Sequence, residues 1–171
     1  MAERTKHFAP SIRAALASLR VELPNRIDIF NAEAENTVEL VMPPADALFF
    51  GGSTDYPLPG KIEVAIVHGR ATDIAIEQVE WDVEDVRGVV SAWVESPPPF
   101  VLSQAYETAL AWGRVIAEVL MQPHAWGDGV VVREAEWDYL AFSPEATGRP
   151  NFQVLSLSTF TLSDVDARPQ P

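Results

Sequence analysis

Two stretches decide the fold: "VVVREAEWDYLAF" at residues 130–142 and "FQVLSLSTFTLSD" at residues 152–164. Both are rich in β-branched and aromatic residues and both alternate, so each predicts a long strand. In the first, Val131, Ala135, Trp137, Tyr139 and Ala141 are expected on one face. Val132, Glu134, Glu136 and Asp138 are expected on the other, which makes that face mainly acidic. The intervening "SPEATGRPN" is dense in turn formers and reads as a loop.

Working outward, "SQAYETALAWGRVIAEVLMQ" (103–122) predicts a helix capped by Ser103 and ended before Pro123. Ala109, Trp112, Ile116, Val119 and Leu120 fall at helical spacing, and Ala105 and Tyr106 extend the stripe. The segment "PHAWGDG" turns the chain into the first long strand. Three strand candidates precede the helix: "KIEVAIVHG" (61–69), "DIAIEQVEWDV" (73–83) and "GVVSAWVES" (88–96). The first has apolar residues on both faces and is expected in the middle of a sheet. "SPPP" (96–99) ends the block.

At the amino end, Pro10 and Ser11 start a helix over "SIRAALASLRVEL", with Ile12, Ala15, Leu16 and Leu19 on one face. Pro24 is expected to stop it. "RIDIFNAEAENTVELVMPP" (26–44) then alternates and reads as two short strands around a polar turn at 31–36. From 43 to 60, four prolines (Pro43, Pro44, Pro57, Pro59) and Gly51-Gly52 forbid a regular element. A loop this long inside a compact domain points to interaction or function. The closing "VDARPQP" (165–171) reads as a frayed, flexible tail.

No repeat or linker divides the chain, so residues 1–164 are expected to form a single α+β domain. Strands grouped in runs and joined by short turns imply a mixed, mainly antiparallel sheet, with two amphipathic helices packed on one face. Apolar residues make up 47% of the 171-residue chain, enough for a core. Asp and Glu number 25 against 12 Lys and Arg, a formal charge of −13. Wrapping nucleic acid requires basic side chains that neutralise phosphates, so this balance argues against it. Arg4, Lys6, Arg13 and Arg20 form a modest basic cluster, read equally as an ordinarily charged helix surface or as a surface that docks on acidic partners, a neighbouring copy among them.

Cysteine is absent, which excludes disulfides, thiolate nucleophiles and Cys-ligated zinc. The first residues lack the apolar core and cleavage site of a signal peptide. No apolar run approaches the ~20 residues that span a bilayer. A reducing cytoplasm is the expected place of synthesis.

The search for chemistry returns little. His7, His68 and His124 lack the spacing of a metal pair. Ser53, in "GGSTD", lacks the strand-to-helix elbow of a hydrolase nucleophile. Gly51-Gly52 lacks the lysine and helix of a phosphate loop. "VEWDVEDV" puts Glu80, Asp82 and Glu84 on one side of a strand, a row that could bind calcium or serve as an acid/base pair. Such alternation usually marks a solvated strand face. The expectation is a protein without catalytic residues, cofactor or metal.

In the order of its elements the chain resembles the tail terminator (tail-completion, or head–tail joining) proteins of long-tailed bacteriophages. The resemblance is carried by the short first helix ending in "LP", the proline-flanked "YPLPGKIEVAIV", the long "AYETALAWGRVIAEVL", and the strand pair closing in "NFQVLSLSTFTLSD". It spans roughly residues 8 to 164 and rests on pattern, since that family has no diagnostic motif. It implies a homo-oligomeric ring, commonly a hexamer, that caps the tail tube and joins it to the head. Its implied partners are other copies of itself, a tail tube protein and a head or neck connector, with DNA passing through the lumen unbound. Its implied place is the virion tail or neck, assembled in the host cytoplasm.

Within that reading, Phe49, Phe50, Gly51, Gly52 and Tyr56 are expected to form an intersubunit loop: hinged by the glycines and anchored by the aromatic rings. Glu77, Glu80, Asp82, Glu84, Glu134, Glu136 and Asp138 are candidate channel-facing acids, repelling DNA so that it slides. Rival readings are another head–tail connector or tube component, a metal-dependent hydrolase built on the acidic strand face, and a binding module with a pocket between the second helix and the sheet.

Overall fold

The computed structural model describes residues 9–33, 35, 37–44, 47–50, 62–72, 82–96, 99 and 101–164. Helix α1 (Ala9–Ala32) runs straight through Pro24, which was expected to end it. The reason is the apolar stripe. Ile12, Ala15, Leu16, Leu19, Leu23, Ile27 and Phe30 recur at steps of three and four and are all buried. Pro24 sits on the exposed side, where its missing N–H costs one hydrogen bond but no packing.

The two short strands expected over 26–44 are therefore not strands. Residues 26–32 belong to α1, with Ile27 buried and Ile29 half exposed. The described residues that follow hold no strand before residue 48. Asn31 fixes this segment instead. Its side-chain amide donates to the Leu40 carbonyl at 2.9 Å, and its carbonyl accepts the Leu40 N–H at 2.9 Å. That two-pronged bond folds the chain back and inserts Leu40 into the core.

Five described strands form one sheet: β1 (Leu48–Phe50), β2 (Ile62–Thr72), β3 (Asp82–Ser96), β4 (Val130–Phe142) and β5 (Phe152–Asp164), in the spatial order β1-β2-β3-β5-β4. β1 runs parallel to β2, and every other pair is antiparallel. The fold is thus α+β with a mixed, mainly antiparallel sheet, as expected. β2 lies inside the sheet, between β1 and β3. Short β1 falls within the segment expected to hold no regular element. The separate candidates at 73–83 and 88–96 resolve differently: residues 82–96 are one strand, and 73–81 lie outside the described residues.

Helix α2 (Leu102–Leu120) crosses β3, β5 and β4 on one face of the sheet, and α1 packs beside it over β1 and β2. Ser103 does not cap α2; Val101 holds the cap position, with no side-chain bond to the helix end. The predicted stripe is buried except at Tyr106, which is half-buried. Trp112, Ile116, Val119 and Leu120 are buried and with the α1 stripe cover Val90, Ala92, Phe160 and Leu162 of the sheet, while Ala105 and Ala109 are buried against Val154. Burying each such aliphatic side chain contributes about 1.5–3 kcal/mol, which explains why the stripe overrides a weak cap.

After α2 the turn at 121–129 dives back to the core. Gly127 (φ 100°) and Gly129 (φ 76°) supply the left-handed geometry that lets β4 begin beside the helices. Ser18 of α1 donates to the Ala125 carbonyl at 3.0 Å, and Trp126 donates to the Leu120 carbonyl at 3.1 Å.

The β4–β5 hairpin is paired from Val130↔Asp164 to Phe142↔Gln153. Its connection contains a single helical turn, α3 (Pro144–Thr147), where a loop was expected. Ser143 caps it by accepting the Ala146 N–H at 3.4 Å, and Gly148 (φ 68°) closes it. Beside this cap the Glu145 carboxyl is held below its ordinary range, first by its hydrogen bond to Ser143 and then by its own backbone N–H.

Candidate interaction surface

β4 is the last strand of the sheet, so one side of it pairs with β5 and the other has no described neighbour. Its register shifts between Val132 and Glu134, leaving Arg133 as the extra residue. This bulge changes the faces read from strict alternation. Val132 and Ala135 lean on the helix-side core, whereas Val131 is 48% exposed. Beyond the bulge, Trp137 and Tyr139 lie on the helix side, and Glu134, Glu136 and Asp138 lie on the face that no described helix covers.

The aromatic pair is anchored at its inner ends. An added Cβ at Gly113 of α2 would stand 3.4 Å from Trp137 Cβ, so helix and strand touch there. Tyr139 meets Tyr106 of α2 with ring centroids 4.9 Å apart. Their outer parts stay in water: Trp137 is 55% exposed, Tyr139 43% and Leu140 47%. Large exposed apolar groups on a long strand with no described neighbour along its outer side mark a contact surface, because a strand edge is itself a template for association.

On the opposite face an open depression of about 590 Å³ is lined by Ala135, Glu136, Trp137, Asp138, Leu157 and Thr159. Further along, Trp93 and Phe142 rings meet at 5.6 Å over buried Leu155. Buried Gln153 donates to Glu95 at 3.2 Å.

The expected site residues are distributed as follows. Glu134, Glu136 and Asp138 share one exposed face of β4. Asp82 and Glu84 are in β3, paired with Thr72 and Arg70 of β2. The ladders place Glu134 level with Arg87 through Thr161, so Glu84 lies three residues further along and two strands away. The acids form two groups, not one row. Glu77 and Glu80 lie outside the described residues. Phe49 and Phe50 are backbone members of β1, whose Leu48 carbonyl accepts from Arg20; Gly51, Gly52, Ser53 and Tyr56 lie outside the described residues.

Among the described residues no group of three His, Asp or Glu could hold a metal. His124 meets only Asp128, at 3.1 Å and in solvent; His7 lies outside the described residues, and His68 is a backbone member of β2. The space between α2 and the sheet is filled by Trp112, Val115, Ile116 and Val119. No described helix is long and apolar enough to cross a membrane. What sequence reasoning missed is Trp137, Tyr139 and Leu140 as an exposed group. Alternation puts the two rings on one face and Leu140 on the other, but only the strand order puts them at an edge.

No family model matches the chain, and no curated protein matches it.

Proposed function

We propose that this chain is a structural virion protein whose copies close into a ring, capping a tail tube and joining it to the head or neck. β4 supports this reading more than any other element. It is 13 residues long, it ends the sheet, and it presents Trp137, Tyr139 and Leu140 to solvent. In a ring each copy offers one surface and receives a different one from its neighbour, and an open edge on one side of the molecule suits such a heterologous contact.

The acidic face of β4 fits the same role. Glu134, Glu136 and Asp138 would repel a phosphate backbone passing near them rather than hold it. The reading assigns the chain no catalysis and no cofactor. Its partners are other copies, a tube protein and a connector, with a hexamer as the expected order.

Light scattering at micromolar concentration and electron microscopy test it. A closed ring of several copies is the expected result; a monomer at every concentration would refute it.

A further inference from the structure

We propose that the depression on the acidic face of β4 receives the Arg13–Arg20 flank of α1 from a neighbouring copy. This rests on the ring reading and names the contact that closes it. Glu136 and Asp138 line the depression together with their ladder partners, Thr159 and Leu157. Two carboxylates over a partly apolar floor suit an arginine, whose stem packs on the floor while its planar head bonds the acids.

Charge and exposure select the occupant. A second β4 laid on this face would set acid against acid, which destabilises a contact. Among the described residues, Arg13 and Arg20 are the two arginines that share a face of one element: seven residues apart, they lie within about 20° of each other around α1. Both are exposed, and no described carboxylate pairs with either. Ala17, Val21 and Pro24 beside them are exposed too, Val21 at 72%. Arg20 spends one N–H on the Leu48 carbonyl of β1 at 3.1 Å and keeps the rest of its five donors. β1 and β4 stand at opposite ends of the described strand order, so the two surfaces face opposite ways, as a head-to-tail contact requires.

Height along the strands sets the register. Leu48 is level with Tyr139 through Ile62, Ala92 and Ser156. Ser18 donates to Ala125, next to Trp126, which packs on Gly88; Gly88 is level with Ala135 through Phe160. From Ser18 to Arg20, α1 therefore advances the way β4 does, at the height of residues 135–139. A ring closed by rotation about an axis along the strands keeps that height and direction. The neighbour's Arg20 then arrives between Glu136 and Asp138. Arg13 is about 10.5 Å back along α1. Glu134 is about 10 Å back along β4 from Trp137, the midpoint of the two acids, so Arg13 meets Glu134. Val21 and Pro24, just beyond Arg20, come against exposed Leu140. Three carboxylates against two guanidiniums leave the contact net negative, in keeping with a wall that repels phosphate.

The cysteine-free chain allows a clean test. Full-length Val21→Cys and Leu140→Cys chains are mixed and oxidised, and the two substitutions are also combined in one chain. Within one copy α1 lies over β1 and β2, at least three strand spacings from β4. That is roughly 14 Å, with the sheet between them, and beyond disulfide reach. Expected are covalent dimers with one chain of each kind in the mixture, and a ladder of multimers from the doubly substituted chain. Arg13→Glu with Arg20→Glu should weaken association at least tenfold by light scattering, with an unchanged circular dichroism spectrum. Adding Glu136→Lys and Asp138→Lys should restore it. A ring that forms without the mixed cross-link overturns the docked arginines and leaves the ring standing. So does association that charge reversal leaves unchanged or that the added lysines fail to restore. Should Arg20→Glu loosen β1, the cross-link decides, since it alters neither arginine. A monomer with no cross-link removes both proposals.

Discussion

Trp126 packs against Gly88 through the outer atoms of its indole: a Cβ added at Gly88 would stand 2.5 Å from the indole Cη2 and 2.7 Å from Cζ3. The indole is 1% exposed, donates to the Leu120 carbonyl at 3.1 Å and tilts against Phe160 with centroids 5.5 Å apart. One side chain thus ties the end of α2, the turn before β4 and the centre of the sheet together. Gly88→Ala should destabilise by about 1–3 kcal/mol through overpacking. Trp126→Ala should cost about 3–5 kcal/mol through the cavity it leaves. Urea unfolding followed by far-ultraviolet circular dichroism checks both.

Pro24 offers the opposite sign. It is exposed, mid-helix, and deprives the Arg20 carbonyl of its helical partner. Pro24→Ala should raise stability by about 1–2 kcal/mol, because the recovered helix propensity exceeds the unfolded-chain entropy that proline restricts. Thermal unfolding reads this as a higher Tm; a lower one would mean that the helix needs its proline.

Asn31 and Leu40 make the third prediction. Asn31→Ala removes both halves of the bond that returns the chain after α1 and leaves the Leu40 amide without its partner. A loss of about 2 kcal/mol is expected. Asn31→Asp keeps the acceptor and should lose less.

The single helical turn between β4 and β5 should respond to acid. Glu145 has a lowered folded-state pKa, so its contribution to the turn is fully present above its unfolded value of 4.5 and fades as pH falls through the folded value. Amide exchange at Ala146 and Thr147 should speed up below that point, and Glu145→Gln should remove the dependence.

The two long strands and the stripe of α2 were legible because their signals are local and repeated: "VVVREAEWDYLAF" alternates and Trp112, Ile116 and Leu120 do not. The bulge at Arg133 was not, since "VVVRE" offers apolar residues of both parities and only the register against β5 decides between them. At Pro24 two local rules conflicted, and burial of Leu23, Ile27 and Phe30 outweighed one lost hydrogen bond. Ile27 and Ile29 alternate for two residues only, too short a run to distinguish period 2 from period 3.6. For the site, the acidic side of β4 could be read directly. Its place at the sheet edge could not, because strand order is set by contacts distant in sequence.

The central claim is that β4 carries an interface between copies, and Trp137 tests it most directly. Trp137→Lys puts a charge on the exposed part of that edge without entering the sealed core, so the fold should survive. Multi-angle light scattering should give about six times the 18.8 kDa chain for the unaltered protein and a single chain's mass for Trp137→Lys. An unaltered protein that stays at one chain's mass, or a Trp137→Lys variant that assembles equally well, would contradict the account.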